Sequence, residues 1–299
     1  MSTRLGMLQV AKLSPQLLGE SANLVRDFLL TCYADDGGFA DRDGKSDLYY
    51  TVFGIDACKV LDMPVAPERM DPLVDAHGHG TGLDLVHFSC WVRAFTESTR
   101  FDPANNGPDT PWRRHLAAFR RDDGGWATTL EEEKGSVYGT FLALGVHQDL
   151  DIPFPEADET VEFVLKNSLA DGGYATNPHL PVATTPTTAA AAVMLRQLGG
   201  DVHRKTVSWL RKRRHRQGGF LAAEGAPMPD LLSTAVALHA LSALERPPAD
   251  HAEVTLDFVD TLWTNKGAFH GHWADDDVDC EYTFYGLLAL GHLSVLGVG

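Results

Sequence analysis

Residues 217–244 read QGGFLAAEGAPMPDLLSTAVALHALSAL, and this stretch contains the pattern that decides the fold. Two glycines and an aromatic residue come first, followed by a short loop rich in glycine, alanine and proline. The segment 231–244 that follows contains no Asp, Glu, Lys or Arg. A helix that is apolar nearly all round its circumference is expected to be buried on every side. The stretch therefore predicts a tight turn that leads into a buried helix.

The same turn recurs along the chain. A glycine-containing turn precedes an aromatic residue five times, at Phe39, Trp126, Tyr174, Phe220 and Phe269. By subtraction, the last four are 48, 46 and 49 positions apart, a period typical of helical arrays and closed rings. The interval of 87 positions between the first two is close to two such periods, and the motif HGHGTG at 77–82 lies within it. The sequence therefore contains about six repeats.

Each repeat contains two kinds of helix. Before the turn, the sequence predicts an amphipathic helix of mixed charge, and after it a helix with few charges and a Ser or Thr. Six half-exposed outer helices that alternate with six buried inner helices indicate an all-α fold, a closed (α/α)6 toroid of about six helical-hairpin repeats. An open row of hairpins is the alternative, but it would expose a second side of the uncharged helices. We predict a single toroid domain over residues 1–299.

The composition limits the classes of partner and location. The chain has 299 residues, of which 44% are hydrophobic and 22% charged, and its formal net charge of −16 disfavours nucleic acid as a partner. The sequence contains neither a recognisable signal peptide nor an uncharged apolar run of about 18 residues. Four cysteines without a CxxC motif indicate reduced thiols. We therefore expect a soluble cytoplasmic protein.

An acidic segment, WADDDVDCEY at 273–282, precedes the last predicted inner helix. Acidic residues at a helix N-terminus bind its free N–H groups and interact favourably with its dipole, so capping is one explanation. Four aspartates between positions 275 and 279 exceed what capping needs, however. The segment is therefore a candidate functional site, and Asp279 is its foremost residue.

Three stretches resemble repeats of the protein prenyltransferase β-subunits and of their relatives, the squalene and oxidosqualene cyclases. They are GGFADRDGKSDLYYTVFGIDACKVL, GGYATNPHLPVATTPTTAAAAVMLRQLG and DVDCEYTFYGLLALG. As a repeat pattern, the resemblance covers essentially the whole chain. It implies an (α/α)6 barrel whose central cavity holds an isoprenoid, and on the transferase side it implies a partner chain that closes the cavity. It does not determine the reaction, because this fold serves prenyl transfer, cyclisation and non-catalytic roles.

Acid-initiated cyclisation is the first hypothesis for the acidic segment. The related cyclases carry an Asp-x-Asp-Asp motif, or an Asp-Cys pair, in which one aspartic acid protonates an alkene or an epoxide. Asp277, Asp279 and Cys280 match these motifs, and the proton donor maps to Asp279. Crowded carboxylates in an apolar cavity raise one another's pKa, which keeps such an acid neutral until it reacts. This reaction requires no cofactor.

A zinc-dependent prenyl transfer is the second hypothesis. In the transferase family, an Asp-x-Cys motif and a histidine from the next repeat bind the zinc. Here Asp279 matches the aspartate, Glu281 takes the cysteine position beside Cys280, and Tyr50 takes the histidine position. Residues 275–277, three aspartates, occupy the place of the basic residues that hold a diphosphate in that family.

A magnesium-diphosphate site is the third hypothesis. The pattern DDxxD is formed by Asp275, Asp276 and Asp279, and Mg²⁺ prefers carboxylate oxygens. Several acidic patterns are satisfied by so dense a segment, so this match has little specificity.

Aromatic and small side chains on the inner helices are candidates for the wall of the cavity. Aromatic rings there would stabilise a carbocation through their faces, and small residues would leave room for a substrate. The candidates are Tyr50, His87, Trp91, Tyr138, Thr188, Tyr282 and Tyr285. His239, which lies among apolar residues, is expected to be a core histidine.

Together these observations predict an enzyme that cyclises or isomerises a linear isoprenoid, with Asp279 as the proton donor. A metal-dependent prenyl-diphosphate transferase and a non-catalytic isoprenoid-binding module are the alternatives.

Overall fold

The computed structural model describes residues 2–177 and 179–298. The α-helices within these ranges are α1 (Thr3–Ala11), α2 (Pro15–Leu18), α3 (Ala22–Thr31), α4 (Leu48–Val60), α5 (Asp71–Ala76), α6 (Leu85–Glu97), α7 (Pro111–Ala117), α8 (Val137–Asp149), α9 (Ala157–Lys166), α10 (Thr185–Leu198), α11 (Thr206–Arg211), α12 (Leu231–Ala243), α13 (Ala252–Thr261) and α14 (Cys280–Val295). The strands are β1 (Phe39–Ala40), β2 (Ser46–Asp47), β3 (Ala175–Asn177), β4 (Leu180–Ala183), β5 (Phe220–Leu221) and β6 (Pro229–Asp230). They pair in sequence order as three short antiparallel ribbons. No helix in the described ranges is both long enough and apolar enough to cross a membrane.

Six inner helices form a closed ring. In ring order they are α4, α6, α8, α10, α12 and α14, and each packs against the next. The ring closes because α14 also packs against α4. Each inner helix is preceded along the chain by the other helix of its repeat, and these are α3, α5, α7, α9, α11 and α13. This order confirms the predicted all-α toroid of six helical hairpins.

A threonine on the inner helix holds the glycine-containing turn. The hydroxyl of Thr234 accepts a hydrogen bond from the backbone N–H of Phe220 at 2.9 Å and donates one to the carbonyl of Asp230 at 2.6 Å. The threonines that bind the turn in the same way in other repeats are Thr51, Thr140 and Thr188. The aromatic side chains of all five turns are at most 2% exposed. The period in the sequence therefore corresponds to one packing unit, a turn fastened to its own inner helix.

A glycine contact in the last turn closes the outer layer of the toroid. Gly267 has a φ of +85°, and a Cβ atom there would lie 2.1 Å from the carbonyl oxygen of Leu24. A residue with a side chain would be strained by this backbone conformation and would not fit. Because Leu24 belongs to α3 of the first repeat, this contact joins the last turn to the first repeat.

Helix α1 lies across the C-terminal ends of the inner helices. It packs against α4, α10 and α14. The backbone N–H and the hydroxyl of Thr3 donate to Gln148 at the end of α8 and to Gln197 at the end of α10. The guanidinium of Arg4 forms an ion pair of 2.7 Å with Asp56 on α4. Since α1 covers this end of the ring, the N-terminal ends of the inner helices form the mouth.

Candidate active site

The ring encloses a cavity with two adjoining chambers of about 160 and 430 Å³. Thr3 and Met7 of α1 border both chambers, and so do the rings of Tyr49, Tyr138 and Tyr285. The larger chamber alone has the volume of a typical small-molecule site. The rings of Tyr49 and Tyr285 both lie within about 6 Å of the ring of Phe53, their centroids 5.1 and 5.5 Å from it, which gives this side of the cavity an aromatic wall.

The residues at the mouth follow a simple rule. Each inner helix begins after an N-cap residue, and the residue two positions after each cap lines the cavity. These six residues, which we name the mouth tier, are Tyr49, Val86, Tyr138, Pro186, Leu232 and Glu281. Five of them are uncharged, so Glu281 is the one charged member of the mouth tier.

Asp279 is the N-cap of α14 and is only 3% exposed. Its Oδ1 accepts a hydrogen bond from the backbone N–H of Tyr282 at 2.8 Å, and its Oδ2 accepts one from Nε of Arg42 at 2.8 Å. The same guanidinium binds Asp275 at 2.9 Å and lies 5.6 Å from the centre of the Tyr282 ring. Both oxygens of Asp279 are therefore engaged, one in helix capping and the other in an ion pair.

Glu281 lines the larger chamber. Its Oε1 accepts a hydrogen bond of 2.8 Å from the hydroxyl of Tyr49. Burial raises the pKa of Glu281 from its ordinary value of 4.5 to about 7, and the negative charge of Asp279 raises it further. The hydrogen bond from Tyr49 and the positive charge of Arg42 lower the pKa and so oppose this rise. Burial also raises the pKa of Tyr49, so its phenol stays protonated and remains a donor. A carboxyl group that is about half neutral near pH 7 thus faces the cavity.

The remaining aspartates of the acidic segment lie outside the cavity wall. Asp275 is half-buried and shares Arg42 with Asp279. Asp277 is exposed, with its Oδ2 3.8 Å from the same guanidinium. Asp276 is exposed as well. These three residues form an acidic rim, in which Asp275 and Asp277 flank the guanidinium of Arg42.

The predicted metal-binding residues have separate partners and do not form a ligand set. Cys280 is buried in the core, where its thiol lies beside that of Cys32. Glu281 faces the cavity, and Asp279 is paired with a guanidinium. Tyr50 lies near Asp279, and burial together with that charge raises its pKa. Within the described residues no three His, Cys, Asp or Glu side chains are arranged to hold a metal ion. The predicted zinc donors therefore do not converge on one site, and the predicted magnesium ligands Asp275 and Asp279 are instead bridged by Arg42.

Three of the predicted cavity residues, Tyr138, Tyr282 and Tyr285, lie on the wall. Tyr138 and Tyr285 lie two and six positions after the caps of their helices. Those two positions are about one turn apart and share one helix face. Burial raises the pKa of Tyr138 to about 12, which keeps this phenol neutral inside the cavity.

The other four predicted cavity residues do not line either chamber. His87 is exposed, and its Nδ1 lies 2.9 Å from Oδ1 of Asp84, the cap of its own helix. Trp91 is 1% exposed and stacks on two phenylalanines in the core. Thr188 holds its turn instead of facing the cavity. Thr188 and Trp91, at the fourth and seventh positions after their caps, lie off the face defined by positions two and six. His87 and Tyr50 occupy the third position, which borders that face; it lines the cavity at Tyr282 but not in their helices.

Two histidines and a serine were not predicted as site residues. His239 lines the larger chamber instead of lying in the core. Its Nδ1 is 3.2 Å from Nε2 of His292, and Nδ1 of His292 is 3.2 Å from Oγ of Ser242. His239 lies nine positions after its cap, Asp230, on the same helix face as positions two and six. This spacing is the sequence signal that could have identified it.

Comparison with known proteins agrees with this architecture. The family model of the prenyltransferase alpha-alpha toroid domain matches residues 8–91, 109–220 and 188–296. The chain belongs to this family. No curated protein matches it.

Three solved structures illustrate how far the similarity extends. A variant of the type II terpene cyclase MstE from Scytonema, in complex with its substrate geranylgeranyl dihydroxybenzoate, is 14% identical, with a TM-score of 0.63 over 95% of this chain and 98% of that chain. Candida albicans protein geranylgeranyltransferase-I, complexed with GGPP, is 13% identical, with a TM-score of 0.50 over 98% and 83%. An ent-copalyl diphosphate synthase from Streptomyces platensis is 19% identical, with a TM-score of 0.50 over 77% and 47%. At these identities the similarity establishes the shared toroid fold.

Proposed function

We propose that this protein is an enzyme that converts a linear isoprenoid into a cyclic isomer by acid-initiated carbocation chemistry. The observation that carries the proposal is the half-buried carboxyl group of Glu281, which has a raised pKa and faces a cavity with tyrosine rings on its wall. The isoprenoid ligands in the structures of MstE and of the geranylgeranyltransferase support an isoprenoid as the substrate class.

The reaction begins when a neutral carboxyl group gives its proton to one carbon of a C=C bond. The π electrons form the new C–H bond, and the neighbouring carbon becomes a carbocation. A second C=C bond of the same substrate attacks this carbon, which closes a ring and moves the positive charge along the chain. The faces of Tyr49, Tyr138 and Tyr285 border both chambers and would stabilise that charge. Loss of a proton ends the reaction, so the product is an isomer of the substrate.

The sequence predicted Asp279 as the proton donor. The contacts of the two candidate acids instead support Glu281 as the donor. A proton on Asp279 would displace either the ion pair with Arg42 or the cap of α14. A proton on Glu281 displaces neither, and the Tyr49 hydroxyl then stabilises the carboxylate that remains after transfer. Asp279 would have an indirect role, since its negative charge favours the neutral form of Glu281. Asp279 as the donor stays the alternative that the experiment below tests.

The charge distribution at the mouth favours an uncharged reacting group over a diphosphate. In the acidic rim, Asp275 and Asp277 flank Arg42, which is also paired with Asp279, and Asp276 adds a further negative charge. A diphosphate would meet net repulsion here. The transferase alternative therefore requires a charge partner that this rim does not supply.

The test is product analysis of the purified protein with linear isoprenoids of increasing length, with and without a diphosphate, in EDTA. We expect cyclic isomers from the wild-type protein, and a loss of about a hundredfold or more for Glu281→Gln. Asp279→Asn, which keeps the capping oxygen, should retain more activity than Glu281→Gln. Circular dichroism of each variant checks that the fold is intact.

Each other outcome has a defined meaning. Loss of activity in Asp279→Asn alone would make Asp279 the donor and would refute the assignment of Glu281. A prenylated acceptor that forms only with added metal would replace the cyclase by a transferase. An isoprenoid that binds and is recovered unchanged under all conditions would leave a binding module.

A further inference from the structure

His239 and Glu281 lie on neighbouring inner helices, α12 and α14, but at different depths in the same chamber. Glu281 is two positions after the cap of its helix, whereas His239 is nine positions after the cap Asp230. A rise of 1.5 Å per residue over the seven intervening positions separates the two levels by roughly 10 Å along the ring axis. The acid thus lies at the mouth and the histidine near the floor, so a substrate that spans the chamber would contact both.

The histidine is the first member of a hydrogen-bonded chain that leads away from the cavity. Nδ1 of His239 faces Nε2 of His292, and Nδ1 of His292 faces Oγ of Ser242, each at 3.2 Å. His292 is 4% exposed, whereas Ser242 is half-buried. The chain therefore connects the cavity wall, through a buried imidazole, with the partly exposed end of α12.

The free nitrogen of His239 is available to a substrate. Among the described residues, no hydrogen bond involves its Nε2. Gly6 of α1 lies beside this ring, since a Cβ atom there would make an ordinary van der Waals contact of 3.8 Å with Cε1 of His239. Burial lowers the pKa of His239 to about 4, and burial together with His239 lowers the pKa of His292 to about 3. Both imidazoles are therefore neutral near pH 7 and able to accept a proton.

We propose that His239 is the base that ends the carbocation reaction, and that His292 and Ser242 carry the proton from it toward the surface. This proposal rests on the proposed function, since it requires a carbocation in the cavity. His239 is a catalytic residue because it touches the substrate, and His292 and Ser242 are positioning residues that act through it.

The transfer balances without any further reactant. A C–H bond next to the last carbocation breaks, its electron pair forms a C=C bond, and its proton binds to Nε2 of His239. The proton on Nδ1 of His239 moves to Nε2 of His292, and the proton on Nδ1 of His292 moves to Oγ of Ser242, which releases its own proton to water. The proton lost by Glu281 at the start is restored from solvent. Each ring formed therefore replaces one C=C bond, and the position of the remaining bond depends on where His239 lies.

Product composition tests this assignment, because the ratio of products is independent of the amount of folded enzyme. In His239→Leu we expect the double-bond isomer that dominates the wild-type product to lose its majority to other isomers or to an alcohol formed by water capture. His292→Leu should cause the same change to a smaller extent. The double variant should match His239→Leu, because the two residues act through one nitrogen.

A matched control is His147→Gln. His147 is a buried histidine with Nδ1 2.7 Å from the carbonyl of Ala143. Burial lowers its pKa to about 4, as for His239, but His147 does not line either chamber. We expect this variant to keep the wild-type product ratio. An unchanged ratio and rate in His239→Leu would refute the proposal while leaving the cyclase function in place. If the wild-type protein forms no cyclic product, the proposed function fails, and the role of His239 fails with it.

Discussion

Replacing Glu281 by glutamine should change how the stability of the protein depends on pH. The glutamine side chain would keep an oxygen that accepts the hydrogen bond from Tyr49, so the substitution removes the ionisable proton with little change in shape. The pKa of Glu281 is about 7 in the folded protein and lies near 4.5 when the group is in water. A group whose pKa is raised by folding stabilises the protein below its unfolded pKa, and this stabilisation is lost as the pH rises through the folded pKa.

The size of the effect follows from the difference between the two values. About 2.5 pKa units correspond to about 3 kcal/mol of unfolding free energy, as an upper value for a single buried carboxyl group. Relative to Glu281→Gln, the wild-type protein should therefore lose up to about 3 kcal/mol between about pH 4.5 and 7.5. Carboxylates that do not interact with Glu281 titrate equally in both proteins and cancel in the comparison.

Urea unfolding at a series of pH values, followed by tryptophan fluorescence and circular dichroism, measures this difference. A useful control is Glu132→Gln, which should show the opposite sign at lower pH. Burial acts to raise the pKa of Glu132, but hydrogen bonds from Thr128 and Thr129 and the charge of Arg121 lower it overall. The ionised form of Glu132 therefore stabilises the fold, and this stabilisation is lost in acid. A difference between wild type and Glu281→Gln that stays constant across that pH range would mean that Glu281 remains ionised in the folded protein. The proton-donor argument would then fail, independently of any substrate.

Three further predictions concern single contacts. Tyr49→Phe removes a hydrogen bond that lowers the pKa of Glu281, so in a pH–rate profile the pH above which cyclisation declines should rise by about one unit. An unchanged profile would show that Tyr49 does not affect the pKa of the proton donor. Thr234→Val leaves the buried N–H of Phe220 without its partner and should cost about 1–3 kcal/mol in urea unfolding, while Thr234→Ser keeps the bond and should cost less. Met7→Ala deepens the floor shared by both chambers and should improve turnover of a longer isoprenoid relative to a shorter one by roughly tenfold, measured in competition.

The repeat made the fold predictable from the sequence. Glycine, an aromatic residue and a threonine recur at fixed spacing because each contributes to one local unit. The glycine permits the turn, the aromatic side chain fills the space between layers, and the threonine binds the turn to the inner helix. Such contacts connect residues about fourteen positions apart, so a single sequence displays them directly. For the same reason Thr188 was misassigned to the cavity, since its role is that of Thr51, Thr140 and Thr234.

Contacts between distant parts of the chain were not predictable in this way. Helix α1 lies outside the repeat, and its position across the ring depends on partners in several different helices. Arg42 lies 237 positions from Asp279, and no pattern in either loop indicates that the ring closure brings them together. Without this ion pair, the acidic segment reads as four free carboxylates. The ion pair shows that Asp279 is already bound to a cation. Glu281, which faces the cavity, then becomes the better candidate for the proton donor.

The caps of the other inner helices explain why a motif match selected Asp279 and why we propose Glu281 instead. Asp47, Asp84 and Asp230 cap their own helices through the same side-chain contact that Asp279 makes, so an aspartate at this position has a structural role in four of the six inner helices. Chemistry specific to one repeat is instead expected at positions that face the cavity and vary from helix to helix. The mouth tier is such a set, and Glu281 is its single acid. If cyclisation is lost in Glu281→Gln but kept in Asp279→Asn, the acid of a toroid cyclase can be located by its position relative to the helix cap; the reverse result would restore the motif as the better guide.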